Sequence, residues 1–117
     1  MIIKKGRIYL AALAPVIGRE ISKTRPVVVI SNDKNNEFSG TVTILPITSK
    51  NINKVYPFEV LLKKGSANLP KSSKARADQI RTLDKSRIIK FIGALEENET
   101  CRVEKAVKIH LGFLLCV

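Results

Sequence analysis

Apolar positions along the chain recur at two spacings, and the switch between them falls near residue 98. Residues 7–13 form a short run containing Ile8, Tyr9 and Leu10 that predicts a strand. Residues 14–24 are a polar connection holding Pro15 and Gly18, long for a loop in a small domain. Long loops of this kind often serve as binding loops or lids. The β-branched run 26–31 predicts a strand buried on both faces, with Pro26 at its first position, where a missing N–H is tolerated. Residues 31–40, rich in Asn and Asp and ending in Gly40, read as a turn. Val42 and Ile44 then alternate with Thr41 and Thr43 in a strand running on through Thr48, and Phe58, Val60 and Leu62 alternate in the next. Residues 65–73 read as a loop. Over 75–83 the alternation puts Ala75, Ala77, Gln79 and Arg81 on one face, small and polar, which suits a groove lining better than a core. Residues 84–86 read as a turn or short helical cap, and 88–95 as the last strand.

From Asn98, a suitable N-cap, the spacing becomes helical: Val103, Ala106, Val107, His110, Leu111 and Leu114 share a stripe, and Gly112 stands near its end. About six short strands followed by one helix predict a mainly β fold with a C-terminal α-helix, a small barrel with the helix packed on it. A chain of 117 residues, 44% hydrophobic, can bury one core, so residues 1–117 read as a single domain. With only 5% aromatic residues and no Trp, that core must be built from Ile, Val, Leu and Ala.

Charge changes the picture more than composition does. The chain has 21 Lys and Arg against 10 Asp and Glu. Residues 1–90 hold 18 cations and 6 anions while residues 91–117 hold 3 and 4, so the whole surplus belongs to the strand-rich part. A one-sided positive field attracts a polyanion: RNA, DNA, an acidic protein segment or an anionic membrane. Lys63, Lys64, Lys71 and Lys74 read as solvated loop charge. The run at 8–14 after Lys4, Lys5 and Arg7 imitates a signal peptide, but Pro15 ends it and no cleavage region follows. It reads as a strand, and no segment is long enough to span a membrane. Cys101 and Cys116 fit no close ligand pair and read as ordinary buried thiols of a reduced, cytoplasmic compartment.

The candidate chemistry is narrow. The acidic residues are scattered until the helix, no DxD, HxH or HExxH spacing occurs, and the single His110 lies on the apolar stripe, where a core or interface imidazole is expected. No metal and no cofactor is therefore expected. Arg, Lys, Thr, Ser and Gln remain, and RNA makes that set sufficient because its 2′-OH is a built-in nucleophile. The protein then needs to orient it and stabilise the phosphorane. A guanidinium suits this task, being permanently charged and able to bond two phosphate oxygens.

Three motifs carry a resemblance. Gly18-Arg19-Glu20 followed by Arg25-Pro26-Val27-Val28-Val29-Ile30-Ser31-Asn32 is similar to the signature of the MazF/PemK toxins; Leu45-Pro46-Ile47-Thr48-Ser49 resembles a second family motif; and Ala77-Asp78-Gln79-Ile80-Arg81-Thr82-Leu83-Asp84-Lys85 a third. Ile92-Gly93 and the last helix complete the order, so the resemblance spans nearly the whole chain. It implies the toxin of a type II toxin–antitoxin pair, with an SH3-like barrel that forms a homodimer and binds single-stranded RNA along the dimer interface. The implied activity is a sequence-specific, metal-independent endoribonuclease that leaves 2′,3′-cyclic phosphate and 5′-hydroxyl ends on mRNA and so inhibits translation and growth. Arg25 and Thr48 match the family's catalytic pair. Gln79 and Arg81 are expected in the RNA groove, and Arg19, Glu20, Lys23, Ser31 and Asn32 are expected to contact RNA. The chain departs from the family at Gly18-Arg19-Glu20-Ile21-Ser22, where relatives often carry G-S-E-Q-G. That loop covers RNA in the family, so the change bears on the recognition sequence more than on cleavage.

The implied protein partner is a MazE-like antitoxin with an acidic, disordered segment able to lie in the basic groove. Two other classes stay open. One, which shares the fold that the resemblance implies, is a CcdB-like toxin that poisons DNA gyrase by binding, against which Arg25 and Thr48 in ribonuclease-type motifs speak. The other is a non-enzymatic RNA-binding barrel, which should carry stacking aromatics on one face; Tyr9, Phe38, Tyr56 and Phe58 look too scattered along the sequence for that.

Overall fold

In the computed structural model, which describes residues 1–21 and 23–113, the period-two segments form one coiled antiparallel sheet. Its strands are β1 (Arg7–Ala12), β2 (Thr24–Val29), β3 (Thr41–Thr48), β4 (Glu59–Leu62), β5 (Ser73–Arg76), β6 (Arg81–Asp84) and β7 (Ile88–Ala94). The order is β4-β5-β3-β2-β1-β7, with β6 also paired to β3. Two α-helices join it, α1 (Asp33–Phe38) and α2 (Glu97–Leu111).

β3 is the organising strand. Its first half pairs with β6, from Thr41 opposite Asp84 to Ile44 opposite Arg81, and its end pairs with β5, Ile47 opposite Ala75 and Thr48 opposite Lys74. β5 and β6 are thus one stretch of chain broken by a 3₁₀ turn at Ala77–Gln79, not a single strand over 75–83. The face expected to line a groove is accordingly split, and Ala75 and Ala77 are fully buried in the core.

Curling lets the sheet bury side chains on both faces, as the continuous run in β2 anticipates. Val28 packs with Ile8, Leu45, Ile47, Val60, Leu62, Val103 and Ala106, whereas Val27 and Val29 pack in a second cluster with Tyr9, Leu13, Val42, Ile44 and Leu83. Alternation along one strand therefore feeds two cores. Pro26 is the third residue of β2, opposite Leu10, because the strand begins earlier, at Thr24.

The expected turn at 31–40 contains α1. Asn32 caps it by accepting from the Asn35 N–H at 2.9 Å, and the buried Asn36 side chain bonds Ser31 and Asp33. This helix had no apolar period to betray it, since its Phe38 is exposed. α2 starts at Glu97, and its cap is two residues before the expected Asn98: Glu96 caps it in a reciprocal pair with Glu99, and Gly112, in the left-handed conformation at φ 69°, closes it. Only Glu99, Val103 and Ala106 are buried on α2; His110 and Leu111 are exposed, so the apolar stripe is narrower than expected. Cys101 is exposed as well, contrary to a buried thiol. Leu114, Cys116 and Ser22 lie outside the described residues.

Gly93 explains its own place on β7. A Cβ there would sit 2.2 Å from the Ala67 carbonyl oxygen, so the 3₁₀ turn Ser66–Asn68 can rest on the strand only where there is no side chain. Asn68 secures that turn by donating to the Ile92 carbonyl at 3.0 Å.

Candidate RNA-cleavage site

Three strands bring the candidate chemistry together. Arg25 stands near the start of β2 opposite Ala11, Thr48 ends β3, and Lys74 of β5 is the cross-strand neighbour of Thr48. Directly paired residues project to the same side of a sheet, so Lys74 and Thr48 share a face. With the loop between β1 and β2 they enclose a cavity of about 270 Å³, lined also by Arg19, Glu20, Lys23, Lys50 and Arg76. Six of the lining side chains are cations and Glu20 is the one lining carboxylate; Glu59 and Asp78 offset Lys74 and Arg76 from behind the wall, so the net positive charge of the cavity comes from the other lining cations.

The groups differ in how firmly they are held. Thr48 is 7% exposed, and its hydroxyl oxygen accepts from the Lys50 N–H at 3.2 Å, leaving the hydroxyl proton to donate. Arg25 is half-buried and lines a second hollow on its other side, beside Pro26, Ile47 and Lys71. Lys74 is buried, its ammonium donating to Glu59 Oε1 at 3.0 Å and to the Lys54 carbonyl at 3.1 Å. Arg76 is forked onto Asp78 at 3.1 and 2.6 Å, and this hydrogen bonding, against the opposing pull of burial, raises its pKa above the ordinary guanidinium value. Its charge is therefore permanent.

The structure divides the sequence-derived candidates into three groups. Arg25, Thr48, Arg19, Glu20 and Lys23 line the cavity together. Gln79 and Arg81 brace the loop: Gln79 Oε1 accepts from the Ile21 N–H at 3.1 Å, and Arg81 donates to the Leu13 carbonyl at 3.2 Å. Arg87 adds bonds to the carbonyls of Ala12 and Ala14, and the Leu13 N–H closes the loop on the Lys23 carbonyl at 3.0 Å. Ser31 and Asn32 are engaged at the start of α1 and do not line the cavity. Lys50, Asn51, Lys74 and Arg76 were not among the candidates, and Lys74 is not solvated loop charge but a buried strand residue. The signal is the alternation of Ser73 and Ala75 with Lys74 and Arg76, which puts both cations on one face of β5.

Among the described residues no three His, Cys, Asp or Glu side chains gather as a metal-binding group, and no helix is long and apolar enough to cross a membrane.

The profile of the PemK-like, MazF-like toxins of type II toxin–antitoxin systems matches residues 4–111. The endoribonuclease MazF of Staphylococcus epidermidis is 42% identical over 94% of this chain and 92% of its own length. Endoribonuclease MazF9 of Mycobacterium tuberculosis is 39% identical over 92% and 95%. The crystal structure of MazF from Deinococcus radiodurans, 27% identical, superposes with a TM-score of 0.83 over 97% of this chain and 99% of its own, and its complex with MazE gives 0.77 over the same shares. The chain belongs to the PemK-like, MazF-like toxins of type II toxin–antitoxin systems, and it is an endoribonuclease of that family.

Proposed function

We propose that the cavity between β2, β3 and β5 cleaves single-stranded RNA, mRNA in the cell, by transesterification without a metal. The ribose 2′-OH attacks the adjacent phosphorus, the 5′-oxygen leaves, and the products are a 2′,3′-cyclic phosphate and a 5′-hydroxyl. The proton lost by the 2′-OH passes to water, and water protonates the departing 5′-oxygen. Arg25 holds the charge that accumulates on the phosphorane oxygens, since a guanidinium does not give up its proton at neutral pH. Thr48 donates its hydroxyl to a phosphate oxygen, and Lys23 and Arg19 draw the backbone in. The observation that carries this is the convergence of six cations with the Thr48 hydroxyl on one small cavity.

The chain works as a homodimer, a reading supported by Ile89 and Phe91, which stand 50% and 47% exposed on the edge strand β7. Its partner is a MazE-like antitoxin whose acidic segment covers the positive cavity in the cytoplasm; MazF of Deinococcus radiodurans has been solved with MazE. Such a complex is expected to weaken steeply with salt.

The test is incubation of the protein with mixed-sequence RNA in EDTA beside Arg25→Ala, both new termini being identified by mass spectrometry. Cyclic-phosphate and 5′-hydroxyl ends that fall roughly 10²–10³-fold in the variant, the scale for losing one transition-state donor, are expected. RNA retained intact by the wild-type protein would overturn the proposal in favour of a binding module.

A further inference from the structure

Beside the cleavage cavity lies another of about 340 Å³, and the two share Asn51, Lys74 and Arg76. The two cavities are therefore contiguous. The rim of the second is Tyr56, which the structure brings into a stack with Phe58, centroids 5.5 Å apart and planes within 3°. The two rings that looked scattered in the sequence form a column, continued by His110 of α2 tilted against Phe58 at 6.0 Å. The Tyr56 backbone is pinned on both sides: its N–H donates to Glu59 Oε1 at 3.0 Å and its carbonyl accepts from the Glu59 N–H at 2.8 Å. The residue stays 43% exposed.

The wall chemistry separates a base from a phosphate. Two of the three cations here have counter-ions, Lys74 in Glu59 and Arg76 in Asp78 and Glu59, which leaves Lys54 as the cation of this wall without a carboxylate beside it among the described residues. An exposed aromatic ring offers a stacking face, and the carboxamides of Asn51 and Asn53 each offer donors and an acceptor for a base edge. The Lys54 ammonium lies 5.1 Å from the Tyr56 centroid on an exposed, flexible side chain, free to move to a phosphate when a base takes the ring. We propose that this second cavity is a nucleobase subsite, in which Tyr56 stacks on the base of a nucleotide flanking the scissile phosphate. It rests on the reading that RNA is cut at Arg25 and Thr48.

The experiment measures binding, so that it stands apart from cleavage. RNA oligonucleotides carrying a 2′-deoxy nucleotide at the scissile position, with one abasic site walked through the flanking positions, are titrated with wild-type, Tyr56→Ala and Tyr56→Phe protein. If wild-type protein yields no cleavage site, a mixed-sequence series is walked instead. Tyr56→Ala is expected to bind intact RNA roughly 5- to 150-fold more weakly, the loss of one base stack. An abasic site at one flanking position should weaken the wild-type complex equally, and the two changes together should give no further loss. Tyr56→Phe should bind as wild type. Equal binding by Tyr56→Ala, or losses that simply add at every position, would overturn the subsite while leaving cleavage in EDTA intact. A coupled loss in a protein that binds but does not cut would support the subsite and sink the cleavage reading.

Discussion

Replacing Glu59 with Ala is expected to be among the most damaging single changes in this protein. The Lys74 and Glu59 side chains are 6% and 3% exposed, so neither is screened by water. Glu59 accepts from Lys74 and from the Tyr56 N–H through Oε1, and lies 3.5 Å from Arg76 through Oε2. Truncation leaves a buried ammonium with the Lys54 carbonyl as its remaining partner. Breaking a buried pair by removing one member costs about 3–5 kcal/mol, because the other charge is orphaned. That is a large share of the roughly 5–15 kcal/mol holding such a domain together. At about 3–6 °C per kcal/mol for this size, the midpoint of thermal unfolding should fall by roughly 10–30 °C. Calorimetry and urea titration at one fixed protein concentration measure it, the fixed concentration removing any contribution from association. Glu59→Leu combined with Lys74→Met removes both charges and should recover most of the loss. A single-variant loss below about 1 kcal/mol, the scale of an exposed pair, would refute the reasoning. So would a double variant as unstable as the single one, which would place the loss in packing instead of charge.

Gly93→Ala forces a methyl to within 2.2 Å of the Ala67 carbonyl oxygen, a backbone atom that can yield only by moving the whole 66–68 turn. A loss of about 1–3 kcal/mol is expected from this overpacking, and an unchanged urea midpoint would show that β7 and the turn part freely. Asp33 bears on acid stability: the Lys5 N–H bond at 2.7 Å, helped by Asn36 and the charges of Lys4 and Lys5 against some burial, lowers its pKa. A depressed carboxyl contributes stability that is fully present above its unfolded value and is lost as pH falls through the folded one, from about pH 4 downwards. Asp33→Asn should therefore flatten the decline of the urea midpoint below that pH; an unaltered acid slope would count against the assignment.

The strands were legible wherever alternation was backed by burial, and illegible where polar side chains do structural work. Residues 26–31 announced a strand with two buried faces, and Val27, Val28 and Val29 do divide between two cores. α1 was invisible because it is held by Asn32 and Asn36, whose side chains close on the backbone and on Ser31 and Asp33. The same polar residues in sequence read equally well as a turn. Lys74 was misread for a related reason: burial of a lysine depends on a carboxylate 15 residues away, and nothing local in Ser73–Arg76 indicates that Glu59 will be there. Arg25 and Thr48 were found by motif, and only the fold shows that they come together, since β2 and β3 are neighbours and both residues line one cavity.

The loop between β1 and β2 is anchored independently of the side chains at its tip. Its seat is made almost wholly through backbone atoms on the loop side: the Ile21 N–H to Gln79, the Leu13 carbonyl to Arg81, the carbonyls of Ala12 and Ala14 to Arg87, and Leu13 to Lys23. Backbone groups are the same whatever side chains the loop carries, so substitutions at its tip leave these anchors in place. The tip residues Ile17, Gly18, Arg19 and Glu20 are exposed, and Glu20 supports them by accepting from the Ile17 N–H at 3.1 Å. Thr48 and Lys74, in contrast, are fixed by the strand ladder and by a buried ion pair, neither of which involves the loop. If the loop covers RNA as proposed, changes at 19 and 21 alter which RNA is held and how tightly, whereas Thr48 and Lys74 keep their places.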